Sequence, residues 1–105
     1  MELISIGDVL SSPDNNPEWF CLPSDRGSWT LDTKGVFTLD SRDFDPESND
    51  YLPEQVKNEG WIEVLDGGAI EEIVDNAKIQ LESPSLNDLF RAFVFYYEND
   101  AFITF

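Results

Sequence analysis

The order of apolar patterns along the chain predicts an α+β fold: a small, mainly antiparallel sheet, two C-terminal helices packed on it, and a short N-terminal helix. Three observations predict it. Short apolar runs bounded by Pro, Gly and Asp recur through the first two thirds, as strands do. Two stretches in the last third instead place apolar residues at helical spacing. The chain has 105 residues, 41% of them hydrophobic, with eight Phe, three Trp and three Tyr, which suits one core. Residues 1–105 are therefore expected to form a single domain.

The elements follow in order. Leu3, Ile6, Val9 and Leu10 share one face of a short helix, which ends before the Pro- and Asn-rich turn formers at 11–17. Residues 18–22, an apolar run between Pro17 and Pro23, predict a strand. Residues 28–32 and 35–39 alternate in character and predict two more strands, joined by a hairpin turn at 32–35. Pro46 and Pro53 keep the next segment from being a long helix. One or two helical turns follow over 53–59, stopping at Gly60, and residues 61–65 predict another strand.

The local signals are firmest after that. Ile70, Ile73, Val74, Ala77 and Leu81 form a helical stripe, with Glu71 and Glu72 expected in a first turn where the dipole favours anions. Gly67-Gly68 predicts the tight turn from strand to helix. Ser85, with Asp88 three residues on, is a capping box for a second helix carrying Leu86, Leu89, Phe90, Phe93, Val94 and Tyr97. Asn99-Asp100 breaks that helix, and residues 101–105 predict a final strand.

Charge bears on function more than any motif does. Twenty-two Asp and Glu stand against six Lys and Arg, a net charge of −16. Small domains more often carry a magnitude of about 2–8. Such a chain is repelled by nucleic-acid phosphates and anionic membranes and attracts cationic proteins, so direct nucleic-acid and membrane binding are not expected. The N-terminus lacks the basic start and apolar run of a signal peptide, and no apolar stretch reaches spanning length, so the expected setting is the cytoplasm.

Catalytic signals are few. The absence of His removes Ser-His, Cys-His and His-metal arrangements. The lone cysteine, Cys21, lies between Phe20 and Leu22 and is expected to serve as a small core hydrophobe. Paired carboxylates, as in a small hydrolase, carry little information among twenty-two acids. An EF-hand loop starting at Asp40 or Asp43 would lack its central Gly. Gly67-Gly68 lacks the other glycines and the Lys of a phosphate loop. No enzyme, cofactor or metal site is therefore expected.

A binding surface remains. Residues 40–54 hold Asp40, Asp43, Asp45, Glu47, Asp50 and Glu54, with Arg42 as the single cation. Phe44 and Tyr51 lie among these acids, an arrangement in which charge steers encounter and buried rings supply affinity. Trp29 is a further candidate anchor. Glu71 and Asp75 stand four apart on one helix face, a like-charge pair that costs about 0.2–0.5 kcal/mol and so invites an explanation outside folding. The partner-binding set is Asp40, Asp43, Phe44, Asp45, Glu47, Asp50, Tyr51, Glu71 and Asp75.

In its general character the chain resembles the immunity proteins of bacterial contact-dependent growth inhibition and related toxin systems. It is about a hundred residues long, acidic, rich in Trp and Phe, and predicted to be one α+β domain. Residues 73–80 and 96–103 are also similar to a family of small bacterial proteins. The resemblance implies a cytoplasmic inhibitor of a cationic toxin domain, such as a basic nuclease, whose phosphate-binding site an acidic surface would cover. Two competing readings are a nucleic-acid mimic that inhibits a host defence protein and an acidic adaptor whose charge serves solubility. The mimic needs carboxylates spaced like backbone phosphates along one face, whereas the acids here are spread over loops and a helix.

Overall fold

A computed structural model describes residues 3–13, 18–38 and 54–105. The chain order is β1 (Ile4–Ser5), α1 (Ile6–Ser11), β2 (Trp19–Leu22), β3 (Lys34–Phe37), α2 (Glu54–Glu59), β4 (Ile62–Asp66), α3 (Gly67–Gln80) and α4 (Leu86–Asn99). The strands form one antiparallel sheet in the order β1-β3-β2-β4. Three of the helices pack on it, with α1, α3 and α4 in mutual contact. This is the α+β architecture expected from the sequence, with the short helix at the N-terminus and the two long ones at the C-terminus.

Strand β2 is central because its side chains are apolar throughout. Phe20 faces Phe37 on β3 and Leu65 on β4, and Cys21 faces Val36 and Glu63. Between Phe20 and Cys21 the register with β4 shifts, so Val64 has no partner opposite it. Such a bulge turns the strand locally, and Val64 joins the core. Thr38 closes the far end, where its N–H donates to the Trp19 carbonyl and its Oγ1 accepts from the Trp19 N–H.

The core runs from Ile6, Val9 and Leu10 through Phe20, Leu22 and Val64 to Ile70, Val74, Ala77, Leu89 and Phe93. Phe20, Phe93, Ile6 and Ile70 are fully buried, each worth about 1.5–3 kcal/mol in burial of apolar surface. Trp29 belongs to this core. It is 5% exposed, its ring packs on Phe93 and Tyr97, and its Nε1–H donates to the Pro23 carbonyl at 2.8 Å. It is a folding residue and not a surface anchor.

Caps set the helix starts. Ser5 Oγ accepts from the Asp8 N–H at the head of α1, and Asp66 Oδ1 accepts from the Ala69 N–H at the head of α3. At α4 the expected capping box is present: Ser85 Oγ accepts from the Asp88 N–H, and Asp88 Oδ2 accepts from the Ser85 N–H. Helix α2 ends as expected, with Gly60 at φ +74°, a left-handed conformation that costs glycine nothing.

Five local expectations are corrected. Residues 28–32 are not a strand: Arg26–Ser28 is a 3-10 turn. Beyond it Thr33 Oγ1 accepts from the Thr30 N–H, and the Thr33 N–H donates to the Thr30 carbonyl. Hydroxyl-to-backbone bonds of this kind compete successfully with a ladder. No hairpin therefore forms across 32–35, and β3 pairs with the distant β1 and β2 instead. Gly67-Gly68 is not a turn before the helix but its first two residues, because Asp66 provides the cap. As a result Glu71 and Glu72 lie beyond the first turn, where the dipole's help has faded. Finally, residues 101–105 form no strand. Asp100 caps α4 in the left-handed conformation (φ 52°, ψ 38°) and turns the chain back along α4 instead of toward the sheet.

Candidate functional site

Two surfaces are candidates, and they differ in what builds them. The first is the outward side of α3. Its buried stripe of Ile70, Ile73, Val74 and Ala77 faces the core, which leaves Glu72 and Asp75 exposed and Glu71 half-buried. The structure thus brings Glu71 and Asp75 together with Glu72 on one helix, against one cation, Lys78, in its last turn. Ile79 follows them at 83% exposure, an apolar side chain with no core role. The other expected contact residues, Asp40, Asp43, Phe44, Asp45, Glu47, Asp50 and Tyr51, lie outside the described residues.

The second surface was not anticipated from the sequence. It is a groove of about 350 Å³ lined by Phe90, Arg91, Val94, Phe95, Glu98 and Ile103. Helix α4 supplies its floor, and the C-terminal tail supplies one wall. Gln80, the last residue of α3, holds that wall with its carboxamide. Its Nε2 donates to the Ile103 carbonyl at 2.8 Å, and its Oε1 accepts from the Phe105 N–H at 3.0 Å. One side chain thereby satisfies two backbone groups two residues apart, as a neighbouring strand would. Phe102 packs on Tyr96 with ring centroids 5.3 Å apart, and the Arg91 guanidinium lies 5.9 Å from the centre of the Phe105 ring. Phe95, Phe102 and Phe105 nonetheless remain 36–42% exposed.

The signal for this groove is present in the sequence but indirect. An interior residue of a helix that keeps an aromatic side chain off the buried stripe, as Phe95 does, presents it to solvent. A strand reading of 101–105 hides the rest, because it sends Phe102 and Phe105 into the sheet.

Covalent chemistry finds no support at Cys21. The residue is fully buried and its Sγ–H donates to the Trp19 carbonyl. Burial first, and then the Glu63 carboxylate, push its thiol up from 9.0 to about 12. A thiol held protonated in this way is a poor nucleophile at neutral pH. Among the described residues no group of three or more His, Cys, Asp or Glu is placed to hold a metal ion. No helix among them is long and apolar enough to cross a membrane.

Fold and surface together define a small acidic α+β domain with apolar side chains exposed beside its carboxylates. The chain belongs to the family described as domain of unknown function DUF7716, whose family model matches residues 3–105. No curated protein and no solved structure matches it.

Proposed function

We propose that this protein is an inhibitor of the immunity type, which binds a cationic protein partner, a toxin domain such as a basic nuclease, through its acidic surface. The observation that carries this reading is the net charge of −16 on 105 residues. A field of that size draws a basic partner in and raises its association rate by about 10–10³-fold. The exposed carboxylates of α3, with Ile79 beside them, supply one part of such a surface. Residues 40–51, with five acids flanking Phe44, supply the sequence pattern for another. Bound over a phosphate-binding site, these carboxylates compete with the phosphates of the substrate. Inhibition then needs occupancy alone, with no enzymatic step, cofactor or metal, and it takes place in the cytoplasm.

The proposal predicts a cationic toxin domain encoded directly upstream of this gene, and the test is to mix the two proteins. The expected result is a stable complex and loss of the toxin's activity at equimolar ratio. Toxin activity that persists in an excess of this protein at low salt contradicts the proposal.

A further inference from the structure

We infer that the groove between α4 and the C-terminal tail is a docking site for a cationic amphipathic segment of a protein partner, apolar side chains on the floor and a Lys or Arg at the Glu98 end. The inference rests on the reading above that the partner is a cationic protein, and it adds where the partner's apolar anchors sit.

The volume and lining suit side chains from a polypeptide. Phe90, Val94, Phe95 and Ile103 are apolar, and about 350 Å³ lies at the low end for small-ligand pockets. An amphipathic segment presents its anchors one turn apart and lays them into such a furrow.

Charge selects the occupant. Arg91 and Glu98 are two helical turns apart, about 10 Å along α4, and so mark opposite ends of the groove. The guanidinium of Arg91 is directed at the Phe105 ring, which engages its charge. Glu98 has exposed Asp100 two residues on, at the C-terminal end of α4, where the helix dipole also favours a cation. An anionic segment, or a second copy of a chain carrying −16, is repelled from this end.

The wall makes docking conditional. Ile103 lines the groove while Gln80 holds the tail, and Gln80 itself does not line it. Substitution of Gln80 therefore dismantles the site without altering any side chain that a partner touches.

The experiment is an amide-resolved NMR titration of the full chain with two synthetic peptides of equal positive charge. One is a Leu/Lys amphipathic helix, and the other has every Leu replaced by Ser. The Leu/Lys peptide is expected to shift amides of α4 and the tail and to bind about tenfold more tightly than the Ser peptide, as apolar anchors require. Phe95→Ser and Gln80→Ala, both at exposed positions, are each expected to remove that advantage. Leu3→Ser, at an exposed apolar residue outside the groove, is expected to keep it. Equal binding of the two peptides, or an unchanged advantage in both groove variants, overturns the groove and leaves the cationic partner standing. Failure of both peptides to bind at low salt overturns the cationic partner as well.

Discussion

The ring of Phe20 on β2 lies directly over Gly35 on β3. A Cβ built on Gly35 would come 2.5 Å from Cζ of that ring and 2.8 Å from the Cys21 carbonyl oxygen. Phe20 also packs on Phe37 at a centroid distance of 4.9 Å, so the ring fills the space above both residues of β3. Such a diagonal aromatic contact covers a glycine that would otherwise weaken a strand. Because the ring is fully buried and the carbonyl is backbone, neither can retreat freely. Gly35→Ala should cost about 2–3 kcal/mol through overpacking, read as a lowered urea midpoint with little change in slope.

The two C-terminal helices should depend measurably on their caps. Ser85→Ala removes one half of the capping box and leaves the Asp88 N–H without its partner, and Asp66→Ala does the same to Ala69. Each should cost about 0.5–2 kcal/mol. Asp88→Asn, which keeps an acceptor on the same side chain, should cost less than Ser85→Ala. Thermal or urea unfolding of the three variants checks the order.

Trp29 separates core from interface. Trp29→Phe retains a ring against Phe93 and Tyr97 but strands the Pro23 carbonyl that Nε1–H now satisfies. The loss should be about 1–3 kcal/mol of stability, with no change in partner association for the fraction that stays folded. A folded Trp29→Phe variant that binds its partner more weakly would restore Trp29 to the interface.

Cys21 predicts an alkaline effect of definite sign. Its thiol is raised from 9.0 to about 12, so between those values the folded state holds a proton that the unfolded state releases. The stabilisation is complete below pH 9.0 and is lost as pH rises toward about 12. Wild type should therefore lose stability relative to Cys21→Ala across that window. At pH 8 the thiol should react with a disulfide reagent only after unfolding, by the same desolvation.

What was legible in the sequence depended on how local its cause is. The α4 capping box, the Gly60 stop and the β2 run between two prolines are set by neighbours in the chain, and each stands where the pattern places it. The pairing of β3 with β1 is set by contacts across about thirty residues, as Ile4 opposite Gly35 shows, and alternation at 28–32 pointed to a nearer but wrong partner. The threonine-rich turn at Thr30 and Thr33 won there because its hydrogen bonds span only two or three residues and need no partner strand. Likewise the Asp66 cap drew Gly67 and Gly68 into α3 and displaced the acids from its first turn. In the candidate site, Glu71 and Asp75 were legible as a like-charge pair. The tail groove was not, because it depends on Gln80 reaching residues twenty-three and twenty-five positions away.

The proposed electrostatic complementarity to a basic protein is tested most directly by the association rate with the proposed toxin domain as salt is varied. Rates should be measured for wild type, for Asp43→Asn/Asp45→Asn/Glu47→Gln/Asp50→Asn and for Glu71→Gln/Asp75→Asn. Wild type should associate fast at low salt and slow steeply as the Debye length shrinks toward about 3 Å at 1 M. Both neutralised variants should keep the fold, associate more slowly at low salt and show a flatter salt dependence. Identical rates and identical salt slopes in all three proteins would contradict an acidic surface as the means of recognition.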